Sequence, residues 1–425
     1  MFVNLNLNVR DLSPSATLAI NEKSNELIRN GHKVYKLGLG QSPFPVPEEV
    51  VESLRQNAHQ KDYLPVRGLP ALREAIAGFN ARVHDLTCNP EDVMIGPGSK
   101  ELIFILQLVY YGDLIIPTPS WVSYSPQAKI IGRNVQWVPT SAEHKWRLSP
   151  ERLDLICRND PNRPRIMILN YPSNPTGCTY YPGRLEKLAA VARKYNVVLV
   201  SDEIYGLLHH EARHVSIAKF YPEGTIVSSG LSKWCGAGGW RLGCFTFPPA
   251  LRWLQDAMAI VASETYTSTS APIQYAAVTA FKGSETIDAY LIQCRRILKK
   301  LADYLLERMK QANIMAPLPH GAFYIFPDFS YYRERLEKQK IFTSVEMCRK
   351  LLQKTGVGIL PGSDFGRQPE ELTARIAYVN FDGAEAIRVA ETEYHHKHLD
   401  EAYLKRCCPD TINGVERMCG WFAGL

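Results

Sequence analysis

The sequence predicts an α/β protein, with a large domain on a mostly parallel sheet flanked by helices and a smaller α+β domain after it. Three observations carry that expectation. Short apolar runs recur without a polar face: VMIG at 93–96, LIIP at 114–117, IMILN at 166–170, VVLVS at 197–201 and IVSSG at 226–230. Strands covered on both sides read this way. Helical patterns such as GRLEKLAAVARKY at 183–195 stand between them, as parallel crossover units require. After about residue 285 the texture changes to long helices and isolated extended segments.

Taken in order, the chain opens with a helix-like segment near 15–30, followed by KVYKLGLG, an extended stretch ending at Gly40. Three prolines in QSPFPVPEEV mark a linker, and a helix follows over 48–58. The strand–helix alternation occupies the middle of the chain. Beyond it, IDAYLIQCRRILKKLADYLLERMK at 287–310 predicts a long helix and GAFYIFPDF a strand. Another helix spans 343–354, then come GVGILPGSDF, TARIAYVNF and a helical tail. The expected organisation is an N-terminal segment, 1–45, folding onto the small domain, a large domain over 46–300 and a small domain over 301–425.

Composition narrows the function classes. The net charge of +6 is spread along 425 residues, with no basic stripe of the kind nucleic acid selects. The longest apolar run, LIFILQLVYY at 102–111, is broken by Gln107 and falls short of the ~20 residues a bilayer needs. The N-terminus lacks the basic and apolar regions of a secretory signal, and the ten cysteines form no C-x-x-C framework. A cytoplasmic protein with reduced thiols, no membrane partner and no metal site is therefore expected.

In a parallel sheet, ligands bind beyond the carboxyl ends of the strands. IMILN runs into YPSNPTG, VVLVS into DEIY, and IVSSG into LSK, so successive strand ends offer Asn174, then Asp202 and Tyr205, then Lys233. Singly, Asp202 is explained as a helix cap, Asn174 and Gly177 as turn residues, and Lys233 and Arg241 as surface charges. Together, in this order, they suit an anionic aromatic cofactor that carries a phosphate.

NYPSNPTG, SDEIY and SKWCGAGGWRLG resemble the signature segments of class I aminotransferases, pyridoxal-phosphate enzymes of fold type I. The resemblance runs from SPSATLAIN to ARIAYVNFDG and implies a role for each matching position. Lys233 would join the cofactor aldehyde and serve as catalytic base and acid. Arg241 would pair with the phosphate, and Asp202 would hold the proton on the pyridine nitrogen. Tyr205 and Asn174 would donate to the phenolic oxygen, and Trp121 would stack on the ring. Gly98, Ser99 and Lys100, in GPGSKELI, would form the phosphate turn at a helix N-terminus. Tyr63 would reach the phosphate of the partner subunit, which implies a homodimer with shared sites.

For substrate, the resemblance implies that Arg375 binds the α-carboxylate and that Gly40, Trp121 and Asn174 line its path. Ser15, Thr17 and Lys100 match residues that recognise an acidic side chain in aspartate and prephenate aminotransferases, or else are two cap residues and a surface lysine. The implied activity is transfer of an amino group from aspartate or a similar acidic L-amino acid, with aromatic or prephenate-like donors also open, to a 2-oxo acid such as 2-oxoglutarate. The alternatives are a lyase on the same scaffold, either a carbon–sulfur β-lyase or an aminocyclopropane carboxylate synthase-like enzyme, and a non-enzymatic regulator. The regulator is disfavoured because SPSAT begins too early to follow a DNA-binding module. Two departures stand out: YYGDLIIPTP shortens the connection before Trp121, and the tail after about residue 400 is long and has no assigned role.

Overall fold

The first strand, β1 (Tyr35–Lys36), is short, and a seven-stranded sheet follows it. The computed structural model describes residues 4–10, 12, 16–395 and 397–425. The sheet's strands are β2 (Val93–Gly96), β3 (Asp113–Thr118), β4 (Val135–Pro139), β5 (Arg165–Asn170), β6 (Val198–Asp202), β7 (Thr225–Gly230) and β8 (Gly243–Thr246). Their spatial order is β2-β8-β7-β6-β5-β3-β4, and β8 alone runs against its neighbours. The chain leaves β3 for β4 at one edge and returns to β5 on the other side of β3. Such a reversal opens a crevice at the strands' carboxyl ends.

Alternation within the strands explains why they read as unbroken apolar runs. Ile166 and Ile168 of β5 enter one core layer, and Met167 and Leu169 enter the other. Helix Ser99–Val109 and helix Arg252–Thr265 cover the first face; helix Pro150–Arg158 and helix Pro182–Lys194 cover the second. The last of these shows the local logic: Pro182 sits in its first turn, and Leu185, Leu188, Ala189 and Ala192 form one buried stripe.

Two strands escaped the sequence reading. In β4 only Val138 is buried while Gln136 and Trp137 face outward, as befits an edge strand, so no apolar run marks it. β8 is four residues long and follows a glycine-rich turn.

Beyond the sheet, helix Glu285–Gln311 runs without interruption through residue 300, the expected domain limit. β11 (Leu360–Pro361) and β9 (Tyr324–Ile325) flank β12 (Ala374–Ala377) in an antiparallel sheet, and β10 (Val357–Gly358) pairs in parallel with β1. The N-terminal extended stretch thus hydrogen-bonds to the last third of the chain. The tail is part of the core: helix Pro409–Ala423 buries Ile412, Val415, Met418 and Phe422, and Phe422 stacks on Phe329 at 4.5 Å. Among the described residues no helix is long and apolar enough to cross a membrane.

Candidate active site

Strands β5, β6 and β7 lie side by side, and their register sets Asn170, Asp202 and Ser228 level with one another. Beyond that edge opens a cavity of about 590 Å³. Ser99, Lys100, Trp121, Asn174, Asp202, Tyr205, Lys233, Arg241 and Gly40 all line it, together with Tyr124 and Asn170. The chain segments that carry them are up to two hundred residues apart in sequence.

Asp202 closes β6 and is 3% exposed. Burial pushes its carboxyl up to about 6, against the Tyr124 hydroxyl, which donates to Oδ2 at 2.6 Å. Asn170 braces the same corner. Its amide donates to the Asp202 carbonyl at 2.8 Å and its Oδ1 accepts from the Asn174 backbone at 2.7 Å.

Lys233 follows β7, and its Nζ donates to the Gly40 carbonyl at 2.9 Å. Burial, with Arg375 and Arg241 adding like charge, brings its pKa down to about 8. A deprotonable amine thus stands in a cationic setting.

The opposite end of the cavity is built for an anion. Helix Ser99–Val109 starts there, capped by Gly98 at φ 92°. Arg241, itself at φ 55°, donates to the carbonyls of Gly238 (2.9 Å) and Pro97 (3.3 Å). A Cβ at position 98 would lie 2.3 Å from Arg241 Nη2, so only glycine fits both the backbone angle and the arginine's approach. Helix N–H groups and a guanidinium converge on one point. Lys100 Nζ lies 5.2 Å from the Trp121 ring centroid, and burial, then Arg241, lowers its pKa.

Arg375, on β12, is 2% exposed and does not itself line the cavity; it is joined to the lining through Asn174. Nη1 donates to Asn174 Oδ1 at 2.9 Å, Nη2 donates to the Gly38 carbonyl at 2.6 Å, and Nε is buried without a partner. Its guanidinium is sandwiched between Tyr324 (4.8 Å) and Phe365 (4.9 Å).

The remaining expected residues stand apart. Tyr63 is 89% exposed and does not line the cavity of its own chain. Ser15 lies outside the described residues, as does the Thr17 side chain; only the backbone of Thr17, in helix Ala16–Arg29, is described. Sequence reasoning missed Tyr124, Asn170 and Tyr324. Tyr124 stands three residues after Trp121 in PTPSWVSY, one turn away on the same side, and that spacing was the available signal.

Glu203, next to Asp202, points to the other side of the strand. Ser201 and Ser216 donate to its Oε1 (2.7 and 2.5 Å), and His214 Nε2 lies 2.7 Å from Oε2. His84 Nδ1 is 3.9 Å from the same oxygen. Burial works upward on the Glu203 carboxyl, but His214, His84 and the hydroxyls overcome it and hold it down at about 2. The ligand atoms of His84, Glu203 and His214 all lie within 4.8 Å of one another, on the far side of β6 from the cavity lining.

A carboxylate at one wall, an indole on another, a recessed amine and an anion cradle define a site for a flat, phosphorylated heterocycle with a basic nitrogen. The class I and II aminotransferase family matches residues 32–391, and the chain belongs to it. An aspartate aminotransferase of Geobacillus stearothermophilus is 35% identical over 369 residues, spanning 84% of this chain and 91% of that protein. The aspartate/prephenate aminotransferase of Thermus thermophilus is 34% identical over 85% of this chain and 91% of its own length. A solved Thermus thermophilus aspartate aminotransferase with maleate superposes with a TM-score of 0.83 at 30% identity, covering 99% of this chain and 100% of that one. The chain is a pyridoxal-phosphate-dependent transaminase acting on amino and 2-oxo acids.

Proposed function

We propose that this transaminase takes the amino group of an acidic L-amino acid, aspartate or glutamate, and passes it to a 2-oxo acid such as 2-oxoglutarate. The observation that carries the reading is the setting of Lys233. Its amine faces the cavity within electrostatic reach of Arg375, Arg241, Asp202 and Lys100, with its pKa brought down to about 8. Bound pyridoxal 5′-phosphate supplies the electron sink that makes the substrate Cα–H acidic. Lys233 would hold the cofactor aldehyde and, once released, take the proton from Cα and return it at C4′. Roughly a tenth of an amine with that pKa is neutral at pH 7, against less than a thousandth for an ordinary lysine.

Asp202 would hold the proton on the ring nitrogen, with Tyr124 keeping its carboxylate oriented. Asn174 and Tyr205 would face the phenolic oxygen, and Trp121 would cover the ring. Gly98, Ser99 and Arg241 would grip the phosphate. Arg375, with its free Nε and its aromatic sandwich, would take the α-carboxylate beside Gly40. Lys100, exposed at the cavity and set over the Trp121 ring, offers the cation that an acidic side chain needs; Ser15 and Thr17 belong to the same reading.

The organisation proposed is an N-terminal segment to residue 45, a large unit over 46–300 and a small unit over 301–425, with helix Glu285–Gln311 crossing between the last two. The protein would be a homodimer with Tyr63 reaching the partner's site. The exposed Tyr63 supports this, as does a shallow hollow where exposed Ile260 meets Pro65 and Val66. A cytoplasmic setting is supported by ten cysteines, all free.

The test is a single turnover of the cofactor-loaded protein with aspartate. Stoichiometric oxaloacetate, no ammonia, and recovery of the starting spectrum on adding 2-oxoglutarate are expected. In a parallel assay with an S-substituted cysteine, which carries a leaving group at Cβ, release of the thiol with ammonia and pyruvate would identify a lyase instead.

A further inference from the structure

We infer that Tyr324 is a positioning residue for the reaction, its hydroxyl holding that of Tyr205 so that the Tyr205 proton points at the phenolic oxygen of the bound cofactor. The inference rests on the cofactor reading above. Tyr324 belongs to β9, late in the chain, whereas Tyr205 follows β6 of the large sheet. Their hydroxyl oxygens are 2.8 Å apart and their rings meet edge to face at 5.6 Å. Both side chains are buried. Among the described residues neither hydroxyl has another hydrogen-bond partner.

Burial holds both phenols protonated, so the pair owns two protons but makes one internal contact. One proton bridges the oxygens and the other is left to point outward. An anionic oxygen beside Tyr205 decides the order: Tyr205 donates to the anion and accepts from Tyr324. A donor that itself accepts a hydrogen bond is polarised and donates more strongly.

The neighbours lock Tyr324 in this pose. The Arg375 guanidinium lies 4.8 Å from its ring centroid. A Cβ at Gly40 would fall 2.1 Å from its hydroxyl oxygen, so the bare backbone at position 40 is what lets the hydroxyl in. The same Gly40 carbonyl accepts from Lys233. Tyr324 therefore touches the groups assigned to the substrate carboxylate, to the substrate's path and to the cofactor oxygen. The charged groups that face the pair are Arg375, Lys233 and Asp202, and replacing Tyr324 by phenylalanine alters none of them.

The experiment compares the wild-type protein with Tyr324→Phe, Tyr205→Phe and the double variant, each loaded with pyridoxal phosphate. The readout is the pH titration of the visible absorption band. A donor to the phenolic oxygen favours the form of the chromophore that has lost its proton, so weakening the donor raises the midpoint. Tyr205→Phe should raise it, and Tyr324→Phe should raise it by a smaller amount, roughly 0.3 to 1 pH unit. The double variant should match Tyr205→Phe alone, because Tyr324 acts through Tyr205. A Tyr324→Phe midpoint equal to wild type, or a shift that adds fully to that of Tyr205→Phe, overturns the inference and leaves the cofactor reading intact. A band that Tyr205→Phe does not move overturns both.

Discussion

Removing the Tyr124 hydroxyl should change the pH range over which the protein takes up its cofactor. The Tyr124→Phe variant keeps the buried ring and its edge-on contact with Trp121 but deletes the 2.6 Å hydrogen bond to Asp202 Oδ2. The remaining side-chain donor, Ser228, is at a long 3.4 Å. A hydrogen bond to a buried carboxylate contributes about 1.5–3 kcal/mol, which is about one to two pH units on the acid it stabilises. Asp202 already sits at about 6 with the bond in place, so without it the carboxyl should titrate near pH 7 to 8. A protonated Asp202 cannot accept from the ring nitrogen, so affinity should fall about tenfold per pH unit below that pKa. The assay is the cofactor Kd, measured from pH 5.5 to 8.5 on both unloaded proteins. The cofactor's phosphate titrates near pH 6 in both measurements and cancels in their ratio. The ratio should be near one at pH 8.5 and rise through neutrality to a plateau below about pH 6. A ratio independent of pH would refute the reasoning, because Tyr124 would then not be setting the charge on Asp202.

Three further outcomes are expected. Gly98→Ala forces a Cβ to 2.3 Å from Arg241 Nη2 at a backbone φ of 92°, and the displaced guanidinium should weaken cofactor binding roughly ten- to a hundredfold in a titration, with the sheet intact by circular dichroism. Lys100→Leu should lower kcat/KM for aspartate by one to two orders of magnitude while sparing an uncharged amino donor, and an equal loss for both donors would assign Lys100 to the cofactor instead. Asp202→Asn should abolish turnover yet stabilise the unloaded protein. An acid whose pKa is raised from 3.8 to about 6 weakens the fold above the unfolded value, by roughly 3 kcal/mol once the pH exceeds 6, and not at all well below 3.8. Thermal melts should therefore show the variant a few degrees above wild type at pH 7 and level with it at pH 3.5.

How far the site could be read along the chain follows from where each residue sits. Asp202 closes β6, and Asn174 and Lys233 stand in the turns just beyond β5 and β7, so their common edge was legible once a parallel sheet was inferred. Arg241 and Gly98 were legible through the resemblance of GPGSK and GGWRLG to the family's signature segments. Tyr124 carried only a one-turn spacing. Tyr324 carried no signal at all, because its partner lies 119 residues away and their contact exists only where β9 meets the end of β6.

Strand polarity, the strand-end residues and the anion-binding turn are written in stretches of a dozen residues or fewer, because backbone geometry and side-chain alternation act locally. What folding alone decided is the field inside the cavity. A lysine becomes deprotonable near neutrality when buried beside two arginines, and an aspartate stays poised near pH 6 when a tyrosine from another element reaches it. Those properties depend on desolvation and on distances between segments remote in sequence, and such distances exist only in the folded chain.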